Sequence, residues 1–320
     1  MIQKATHATP RMDLGVAFHE YSPTRMRFIA DQVMPKFPVG KKAATLSVIQ
    51  RKNLTLPDTT RADGATFNRV SLYATDKSYS CVNDALEGVL PDGQRETYPD
   101  DFNAELETIN ALKIKMMLKR ESRIKDKIFD TTTWTGAALY TDNSGSPRDS
   151  VDTNIISQIG AAKEKVRLNT GVIADSLIIG EAAMQNMLKN TGIIARFPNA
   201  ERVTEAMIRG SLAAIFGLEQ LLVGSSAYNS ADEGQDPTFS DLWGDDYAMV
   251  AVLGREGMPL SEPQLARTIF WQRYIGDIDV DALVEQYREQ QTKSDIFQVE
   301  RSIDEKIIDE YFGHLMKIDA

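Results

Sequence analysis

The sequence predicts an α+β fold that combines a long β-hairpin, one very long helix and a mixed α/β unit. Apolar residues alternate with polar ones on both sides of a Pro/Asp/Gly-rich turn at residues 57–64, which indicates the hairpin. Apolar residues recur at helical spacing over residues 100–130, which indicates the helix. After residue 154, helical and strand patterns follow one another, and this order favours a sheet covered by helices.

Bulk composition limits the class of protein. A chain of 320 residues can bury a sizeable core, and by length it suggests about two domains. The formal net charge is −10, so we do not expect the chain to wrap nucleic acid by bulk attraction. No segment has a secretory pattern or approaches about eighteen consecutive apolar residues, so we expect neither secretion nor membrane spanning. The single cysteine, Cys81, fits a reducing cytoplasm and is predicted to be a small buried apolar side chain.

The predicted hairpin, residues 45–82, has no evident core of its own. Its alternating apolar residues are Leu46, Val48, Leu54 and Leu56 before the turn and Phe67, Val70, Leu72 and Ala74 after it. A two-stranded ribbon is at best marginally stable alone in water, so we expect this one to lie on another subunit. The alternative is a surface excursion without function. The predicted inter-subunit contact residues are Arg51, Lys52, Leu54, Leu56, Asp58, Arg61, Asp63 and Phe67.

The segments on either side of the hairpin differ in character. Residues 1–45 read as an arm with one short helix over residues 25–33. Residues 100–130 read as a helix with Asp100 or Asp101 as N-cap and with basic residues in its later turns, an order that suits the helix dipole. At about 1.5 Å per residue, such a helix is on the order of 40 Å long, which is typical of the spine of an elongated domain.

In the second half of the chain, the residue pattern predicts helices alternating with strands. Predicted helices cover residues 154–168, 181–188 and 200–215; predicted strands cover residues 172–179, 220–223, 247–253, 264–271, 295–299 and 306–316. An acidic run at residues 276–281 reads as a hinge.

No set of residues in the sequence predicts catalysis, a cofactor or a metal. His7, His19 and His314 lack ligand spacing and are predicted to be ordinary surface histidines. The glycines at 88 and 93 have the spacing of a phosphate loop, but Gln94 and Arg95 follow instead of Lys and Ser/Thr. The acids at 277, 279 and 281 begin like a calcium loop, but the required glycine and glutamate are absent. A chain of this length without such chemistry is more typical of a building block than of a catalyst.

The order of the elements resembles that of tailed-bacteriophage major capsid proteins. The resemblance lies in an ordered set of segments, none of which is diagnostic alone. They are residues 28–35 (FIADQVMP), 112–121 (LKIKMMLKRE), 170–180 (TGVIADSLIIG), 216–224 (FGLEQLLVG) with a following Trp243, and 295–300 (DIFQVE) with 306–308 (KII). Together they extend from about residue 28 to the C-terminus.

This resemblance implies the Hong Kong ninety-seven type fold, which is shared with encapsulins and the floor of herpesvirus capsids. It divides the chain into an N-terminal arm (1–45), an extended loop (46–85), a peripheral domain with the spine helix (86–172 and 292–320) and an axial domain (173–291). The implied function is self-assembly into the icosahedral head shell that encloses the double-stranded DNA of a tailed phage. The alternatives are an encapsulin-like nanocompartment and, from another class, a soluble α/β enzyme with its site in residues 173–271.

The resemblance also implies partners and a location. The chain is expected to contact itself in pentamers and hexamers, a separate scaffolding protein, a portal, in some systems a decoration protein, and packaged DNA without sequence specificity. Assembly is expected in the bacterial cytoplasm and the final location in the virion, with no membrane involved. Some relatives cross-link a loop lysine to an asparagine of a neighbour; Lys52 lies in the loop, but no asparagine partner is evident, and we predict no cross-link.

Overall fold

A computed structural model describes residues 8–21, 23, 26–97, 103–145, 154–197, 204–232, 234–275, 278–280 and 282–318. Within them the α-helices are α1 Met12–Glu20, α2 Ala30–Val33, α3 Asp92–Thr97, α4 Ala104–Ile128, α5 Ile155–Thr170, α6 Glu181–Leu188, α7 Thr191–Ile194 and α8 Glu205–Phe216. The strands are β1 Thr9–Pro10, β2 Lys36–Val39, β3 Ala43–Ile49, β4 Ala74–Ser80, β5 Val82–Pro91, β6 Tyr140–Asn143, β7 Ser176–Gly180, β8 Gln220–Gly224, β9 Ala227–Asn229, β10 Phe239–Asp241, β11 Tyr247–Ala251, β12 Ala266–Trp271, β13 Arg273–Ile275, β14 Ile278–Val280, β15 Leu283–Glu289, β16 Ser294–Ile307 and β17 Gly313–Ile318.

Two larger sheets organise these elements. The first contains β1, β15, β16, β12 and β2, with β5 also paired to β16. Its longest strand, β16, pairs antiparallel with β15, with β5 and, through its last residues, with β12. The second sheet has the order β6-β17-β11-β7-β8 and mixes parallel with antiparallel pairs. A separate ribbon of β3 and β4 leaves the body between β2 and β5.

The helix α4 joins the cores of the two sheets. Ile109, Leu112 and Met116 in its first half lie in an apolar cluster with β5, β15 and β16. Ile124 and Ile128 in its second half lie in the cluster that surrounds the second sheet. The helix is 25 residues long, about 38 Å at 1.5 Å per residue. The predicted spine is therefore confirmed, with its apolar stripe divided between two cores.

The predicted N-cap of the spine is wrong. The helix begins at Ala104, and the Asn103 side chain accepts a hydrogen bond from the Leu106 amide at 3.1 Å. Asp100 and Asp101 lie outside the described residues. Asn caps as well as Asp because its side-chain oxygen satisfies the same free backbone N–H, and the apolar pattern did not distinguish between these neighbouring caps.

The basic later turns of α4 pair within the chain. Arg123 forms ion pairs with Glu305 at 3.0 Å and Asp84 at 3.1 Å. Arg120 pairs with Asp31, and its guanidinium also donates to Thr268 Oγ1 at 3.0 Å. Arg120 and Arg123 are therefore neutralised within the subunit, because the arm, β5 and β16 supply their acceptors.

The buried carboxylate of Glu121 connects α4 to two distant segments. It accepts hydrogen bonds from the backbone amides of Ile29 at 3.0 Å and Ala30 at 2.9 Å, at the start of α2. Trp243 Nε1 donates to the same carboxylate at 2.7 Å. Burial raises the pKa of Glu121, and the three donated hydrogen bonds act in the opposite direction. One side chain therefore holds the arm, the spine helix and the loop that carries Trp243.

Glycines at the ends of two strands make room for Trp243. A Cβ on Gly224 would lie 2.2 Å from Trp243 Cδ1, and one on Gly180 would lie 1.8 Å from the Gly244 carbonyl oxygen. These distances are too short for any side chain at either position. Gly180 and Gly224 end the segments 170–180 and 216–224 that the sequence singled out, and they let Trp243 and Gly244 pack closely against the ends of β7 and β8.

Other elements of the second half depart from prediction in detail. Strand β7 begins at Ser176 rather than 172, and α8 is described from Glu205, since residues 198–203 lie outside the described residues. The predicted strand at 306–316 is wrong: β16 ends at Ile307, a turn follows, and β17 begins at Gly313. The turn lets the chain pass from the first sheet to the second, a change of partners that apolar alternation cannot reveal.

The domain boundaries stay a prediction. Two strands, β12 and β17, nevertheless pair with strands outside the domain in which each was predicted to lie. The strand β12, predicted in the axial domain, pairs with β16 and β2 of the first sheet. The strand β17, predicted in the peripheral domain, pairs with β11 and β6 of the second sheet. The acidic run at 276–281 is described only at residues 278–280, which form β14.

His314 is buried, so its predicted surface position is wrong. It lies on β17, where its Nδ1 faces the Ala138 carbonyl oxygen at 3.0 Å and its Nε2 faces Thr141 Oγ1 at 2.8 Å. Since a carbonyl oxygen only accepts, Nδ1 carries the proton, and Thr141 donates to Nε2. Burial lowers the pKa of His314 from 6.5 to about 4. His7 and the side chain of His19 lie outside the described residues.

Replacing Glu121 with Ala should destabilise the subunit. Three buried N–H donors would lose their acceptor, and we expect a decrease of about 3 kcal/mol in the free energy of unfolding. Urea denaturation of the unassembled subunit measures this decrease. Glu107→Ala, at an exposed position on the same helix, is the matched control and should change stability by less than about 0.5 kcal/mol. Equal effects of the two substitutions would contradict the role assigned to Glu121.

His314 should make stability depend on pH. Below pH 6.5 the unfolded chain protonates this histidine, while the folded chain keeps it neutral down to about pH 4. The unfolded state then binds more protons, so the free energy of unfolding falls as the pH drops between these values. Between pH 7.5 and pH 5 we expect the native protein to lose about 2 kcal/mol more than His314→Gln. Comparison with this variant in urea denaturation cancels other groups, and parallel losses would contradict the prediction.

Candidate functional site

The candidate site is the ribbon of β3 and β4 with the loop beyond it. The ribbon pairs in register from Ala43 with Ser80 to Ile49 with Ala74. Its base is anchored, because Tyr79 and Cys81 are buried in a cluster with Val39 and Ile269. Cys81 is 2% exposed, which confirms its predicted role as a small buried side chain.

A side-chain clamp closes the ribbon where the ladder ends. Asn53 donates from its amide to the carbonyl oxygens of Gln50 at 2.8 Å and Tyr73 at 2.7 Å. Its side-chain oxygen accepts from the Tyr73 amide at 2.8 Å. One asparagine therefore replaces the next pair of backbone hydrogen bonds and fixes the two chains as they leave the ribbon.

The predicted strands extend too far towards the tip. Strand pairing ends at Ile49 and resumes at Ala74, and residues 54–73 contain no strand. Asn68 instead donates to the Asp58 carbonyl oxygen at 2.7 Å, and the Asp58 side chain accepts from the Thr60 amide at 2.8 Å. The alternation at Leu54, Leu56 and Phe67 is real, but these residues find no partner strand within the described part of their own chain.

The apolar residues of this loop are exposed. Relative exposure is 101% for Leu56, 78% for Phe67 and 68% for Leu54, and Val70 and Leu72 are similarly open. Contiguous exposed apolar residues of this kind mark interaction surfaces on soluble proteins. Leu56 and Phe67 are thus uncovered in the single subunit, whereas Leu54 is largely exposed but lies beside Gly171 of its own body.

The charged residues predicted for the same surface fall into two groups. Lys52, Asp58, Arg61 and Asp63 are exposed, and the Arg61 guanidinium lies 4.3 Å from the centre of the Phe67 ring. Hydrogen bonds from Thr60 lower the pKa of Asp58. Arg51 differs, because its contacts lie within its own subunit.

Arg51 fastens the loop to the turn between β16 and β17. Its guanidinium stacks 3.5 Å from the centre of the Tyr311 ring and lies 3.3 Å from Asp309. It also donates to the Asn169 carbonyl oxygen at 2.9 Å. A groove of about 520 Å³ runs beside it between the ribbon and residues 308–311, and an apolar recess of about 150 Å³ beside Leu54 is lined by Val172, Pro263 and Phe312.

Sequence reasoning missed the partners of Arg51. Asn169, Asp309 and Tyr311 lie more than 100 residues away along the chain, and no local pattern connects them to the loop. It also missed a second feature, the strand β5, which has an exposed outer edge. Its residues Val82, Leu86 and Val89 are all exposed apolar side chains on a strand, a signal that alternation alone does not assign to an edge.

Two further classes of site have no support in the same described ranges. Among these residues, no three His, Cys, Asp or Glu side chains are arranged to hold a metal ion. No helix there is both long and apolar enough to cross a bilayer.

Comparison with known proteins identifies similar chains. No protein-family model matches. The chain is 25% identical over 226 residues to a major capsid protein of Pseudomonas phage JBD67, which covers 68% of this chain and 70% of that protein. It is 24% identical over 281 residues to a major capsid protein of Burkholderia phage BcepMu, which covers 86% of this chain and 88% of that protein.

Solved structures share the fold. A phage-related protein from Bordetella bronchiseptica matches with a TM-score of 0.72 at 21% identity, over 98% of both chains. The mature capsid of bacteriophage PhiM1 matches with a TM-score of 0.56 at 12% identity, over 99% of this chain and 91% of that one. The chain therefore has the Hong Kong ninety-seven type fold of phage capsid proteins, as its sequence predicted.

Replacing Arg51 with Met should loosen the loop. Loss of the ion pair, the stacked ring and the carbonyl contact removes about 1 kcal/mol that holds residues 50–54 against the body. We expect chymotrypsin to cut the loop of the unassembled subunit, after Leu54 or Phe67, about fivefold faster. Lys52→Met removes an exposed charge next to it and is the control, which should cut at the native rate. Equal rates for all three proteins would contradict the assignment.

Proposed function

We propose that this chain is the major capsid protein of a tailed phage and that it self-assembles into the icosahedral shell around double-stranded DNA. The observation that carries the proposal is similarity to two phage major capsid proteins together with the capsid fold over nearly the whole chain. The exposed loop supports it independently, because Leu54, Leu56 and Phe67 remain largely exposed in the single subunit.

In this proposal the loop works by association. It lies across a neighbouring subunit, with Leu54, Leu56 and Phe67 against apolar surface and with Lys52, Asp58, Arg61 and Asp63 at a polar rim. Obligate interfaces of this kind bury on the order of 2,000 Å² or more. Much of the gain from burial is offset by ordering of the loop, so each contact stays weak while the many contacts of a closed shell make it durable.

Arg51 has a different proposed role from the one its sequence context suggested. It holds the base of the loop to its own subunit through Asp309, Tyr311 and Asn169. The loop then leaves the body in one direction, which lowers the entropic cost of binding the next subunit.

Contact with packaged DNA follows the charge distribution. The net charge of −10 disfavours general adhesion of the genome to the shell, which suits packing and release. Arg120, Arg123 and Lys127 of α4 find their acceptors within the chain, so these three residues are not the proposed DNA contact. Contact with the genome is proposed to be non-specific and weak.

The proposed partners follow from the shell. The chain contacts copies of itself in pentamers and hexamers, and a scaffolding protein, a portal and a decoration protein are further proposed partners. Assembly is proposed in the host cytoplasm and the final location in the virion. No enzymatic activity is proposed.

The fold does not separate a phage shell from an encapsulin-like compartment, but both relatives named above are phage capsid proteins, which favours the phage shell. The same relatives disfavour a soluble enzyme with a site in residues 173–271.

Purified protein examined by size-exclusion chromatography and negative-stain microscopy tests the proposal. Closed shells support it, and a small oligomer at all concentrations contradicts it. Nucleic-acid staining and mass spectrometry of phage-derived particles then distinguish DNA from enzyme cargo.

Replacing Leu54, Leu56 and Phe67 together with Asp should stop assembly and leave a folded subunit. The three side chains are exposed in the subunit, so charge there costs little in folding but prevents burial at an interface. Circular dichroism should match the native spectrum, and light scattering should show no particles. Met207→Asp, at an exposed apolar position on α8, is the control and should assemble. Loss of the folded spectrum in the triple variant would show that the loop belongs to the core.

A further inference from the structure

We propose that Arg267 is the centre of a binding site for one small monoatomic anion, such as chloride, inside the loop between β11 and β12. The loop consists of residues 254–264. The site goes beyond the proposed function, because it lies within a single subunit and needs no neighbour. It is carried by a buried positive charge that the described part of the chain does not neutralise.

Arg267 differs from the other buried arginines in its partners. Three arginines are buried among the described residues: Arg120, Arg267 and Arg301. Arg120 forms an ion pair with Asp31, and the guanidinium of Arg301 lies 3.0 Å from the Asp84 carboxylate. Arg267, which is 0% exposed, forms no ion pair with any described residue.

The acceptors around the Arg267 guanidinium are neutral and incomplete. Its Nε donates to the Gln264 side-chain oxygen, and its Nη2 donates to the Met258 carbonyl oxygen at 3.1 Å. Its Nη1 is buried and has no hydrogen-bond partner among the described residues. Burial lowers the pKa of Arg267, but a guanidinium stays protonated in proteins, so the charge remains. A buried charge without a counter-charge is strongly unfavourable, which favours an anion at Nη1.

The acids of the same loop do not supply this counter-charge. The negative charges of Glu256 and Glu262 raise the pKa of Arg267, so both act on it from a distance. Both residues are nevertheless exposed, and neither forms an ion pair or a hydrogen bond with the guanidinium. The compensating negative charge therefore has to come from outside the chain.

The free nitrogen indicates which class of anion fits. Arginine characteristically binds carboxylates and phosphates through two parallel N–H groups. Here Nε and Nη2 already donate within the chain, so only Nη1 is left, and a single point of contact suits a monoatomic anion. The backbone of Gly254 also lies against the guanidinium, since a Cβ there would be 2.8 Å from Arg267 Nε and 2.9 Å from Cζ. The guanidinium is therefore enclosed on this side, which favours a small ion.

The loop can adjust to such an ion and pass its effect to the ribbon. Residues 255–263 contain no helix or strand, and most of them are exposed. Gln264 is fully buried; it accepts from Arg267, donates to the Pro259 carbonyl oxygen at 3.1 Å and lines the recess beside Leu54. An anion on Arg267 therefore fixes the loop that forms one wall of that recess.

Thermal unfolding of the unassembled subunit in two sodium salts tests the site. Chloride and gluconate are compared at the same concentration, about 100 mM, because gluconate is too large for the enclosed guanidinium. We expect the unfolding midpoint to be about 3 °C higher in chloride, since an anion that binds only the folded chain stabilises it. Equal midpoints in the two salts would overturn the proposal.

Arg267→Met should abolish the difference between the salts, because it removes the charge that binds the anion. Arg255→Met is the matched control. Arg255 is an exposed residue of the same loop, its ion pair is with the exposed Glu219, and its replacement should keep the full difference. A difference that persists in Arg267→Met would be a general effect of the salt and would overturn the site.

A variant that combines Glu256→Gln with Glu262→Gln separates a free anion from a carboxylate of the loop. We expect this variant to keep the difference between chloride and gluconate, because neither acid contacts Arg267. A difference that is seen only in this variant, and not in the native chain, would mean that one of these carboxylates occupies Nη1. That result would overturn the proposal.

Crystals of the native chain grown in sodium bromide give a readout that needs no variant. Bromide replaces chloride at halide sites and scatters anomalously, so we expect an anomalous peak next to Arg267 Nη1. A water molecule or a carboxylate oxygen at Nη1 without such a peak would overturn the proposal, and this result decides it even if Arg267→Met fails to fold.

Discussion

The buried carboxylate of Glu121 is the interaction on which the arrangement of the subunit depends. It accepts from the two amides that begin α2 and from Trp243, three donors that come from two segments far apart in the chain. A buried carboxylate is unfavourable unless its hydrogen bonds are complete, so the three donors and the acid must be assembled together. The arm, the spine helix and the Trp243 loop consequently take fixed positions relative to one another, and the two cores that α4 joins are held as one body.

The ribbon differs from the body, because its outer part has few contacts within its own subunit. Its base is buried around Cys81, and Asn53 and Arg51 fix the point and the direction in which the chain leaves the body. Beyond that point the side chains contact little of their own subunit. A rigid base with an uncovered apolar end is suited to a surface that is completed only when a second copy arrives, because the ordering cost is partly met before association.

Features that depend on neighbouring residues in the sequence were predicted correctly, whereas features that depend on contacts between distant residues were not. The helix over residues 100–130 was predicted because a helix repeats its buried face every three to four residues, and Ile109, Leu112, Met116 and Ile124 lie on that face. The burial of His314 was not predicted, because it depends on Thr141 of β6 and on Ala138 just before that strand, which are far from His314 in the sequence. The same reason explains Arg51: its residue type suggested a rim charge, whereas its actual acceptors come from residues 169, 309 and 311.

By itself the sequence determined the class of fold, the spine helix, the presence of a ribbon without its own core and the resemblance to capsid proteins, because each depends on local periodicity or on the order of segments. Only the tertiary structure decided where the ribbon ends, which sheet receives β12 and β17, how the charges of α4 are neutralised and which strand edge stays open. Those outcomes depend on residues that are distant in the sequence and meet only in the folded chain. The pattern of residue types along the sequence does not specify which distant residues will be in contact.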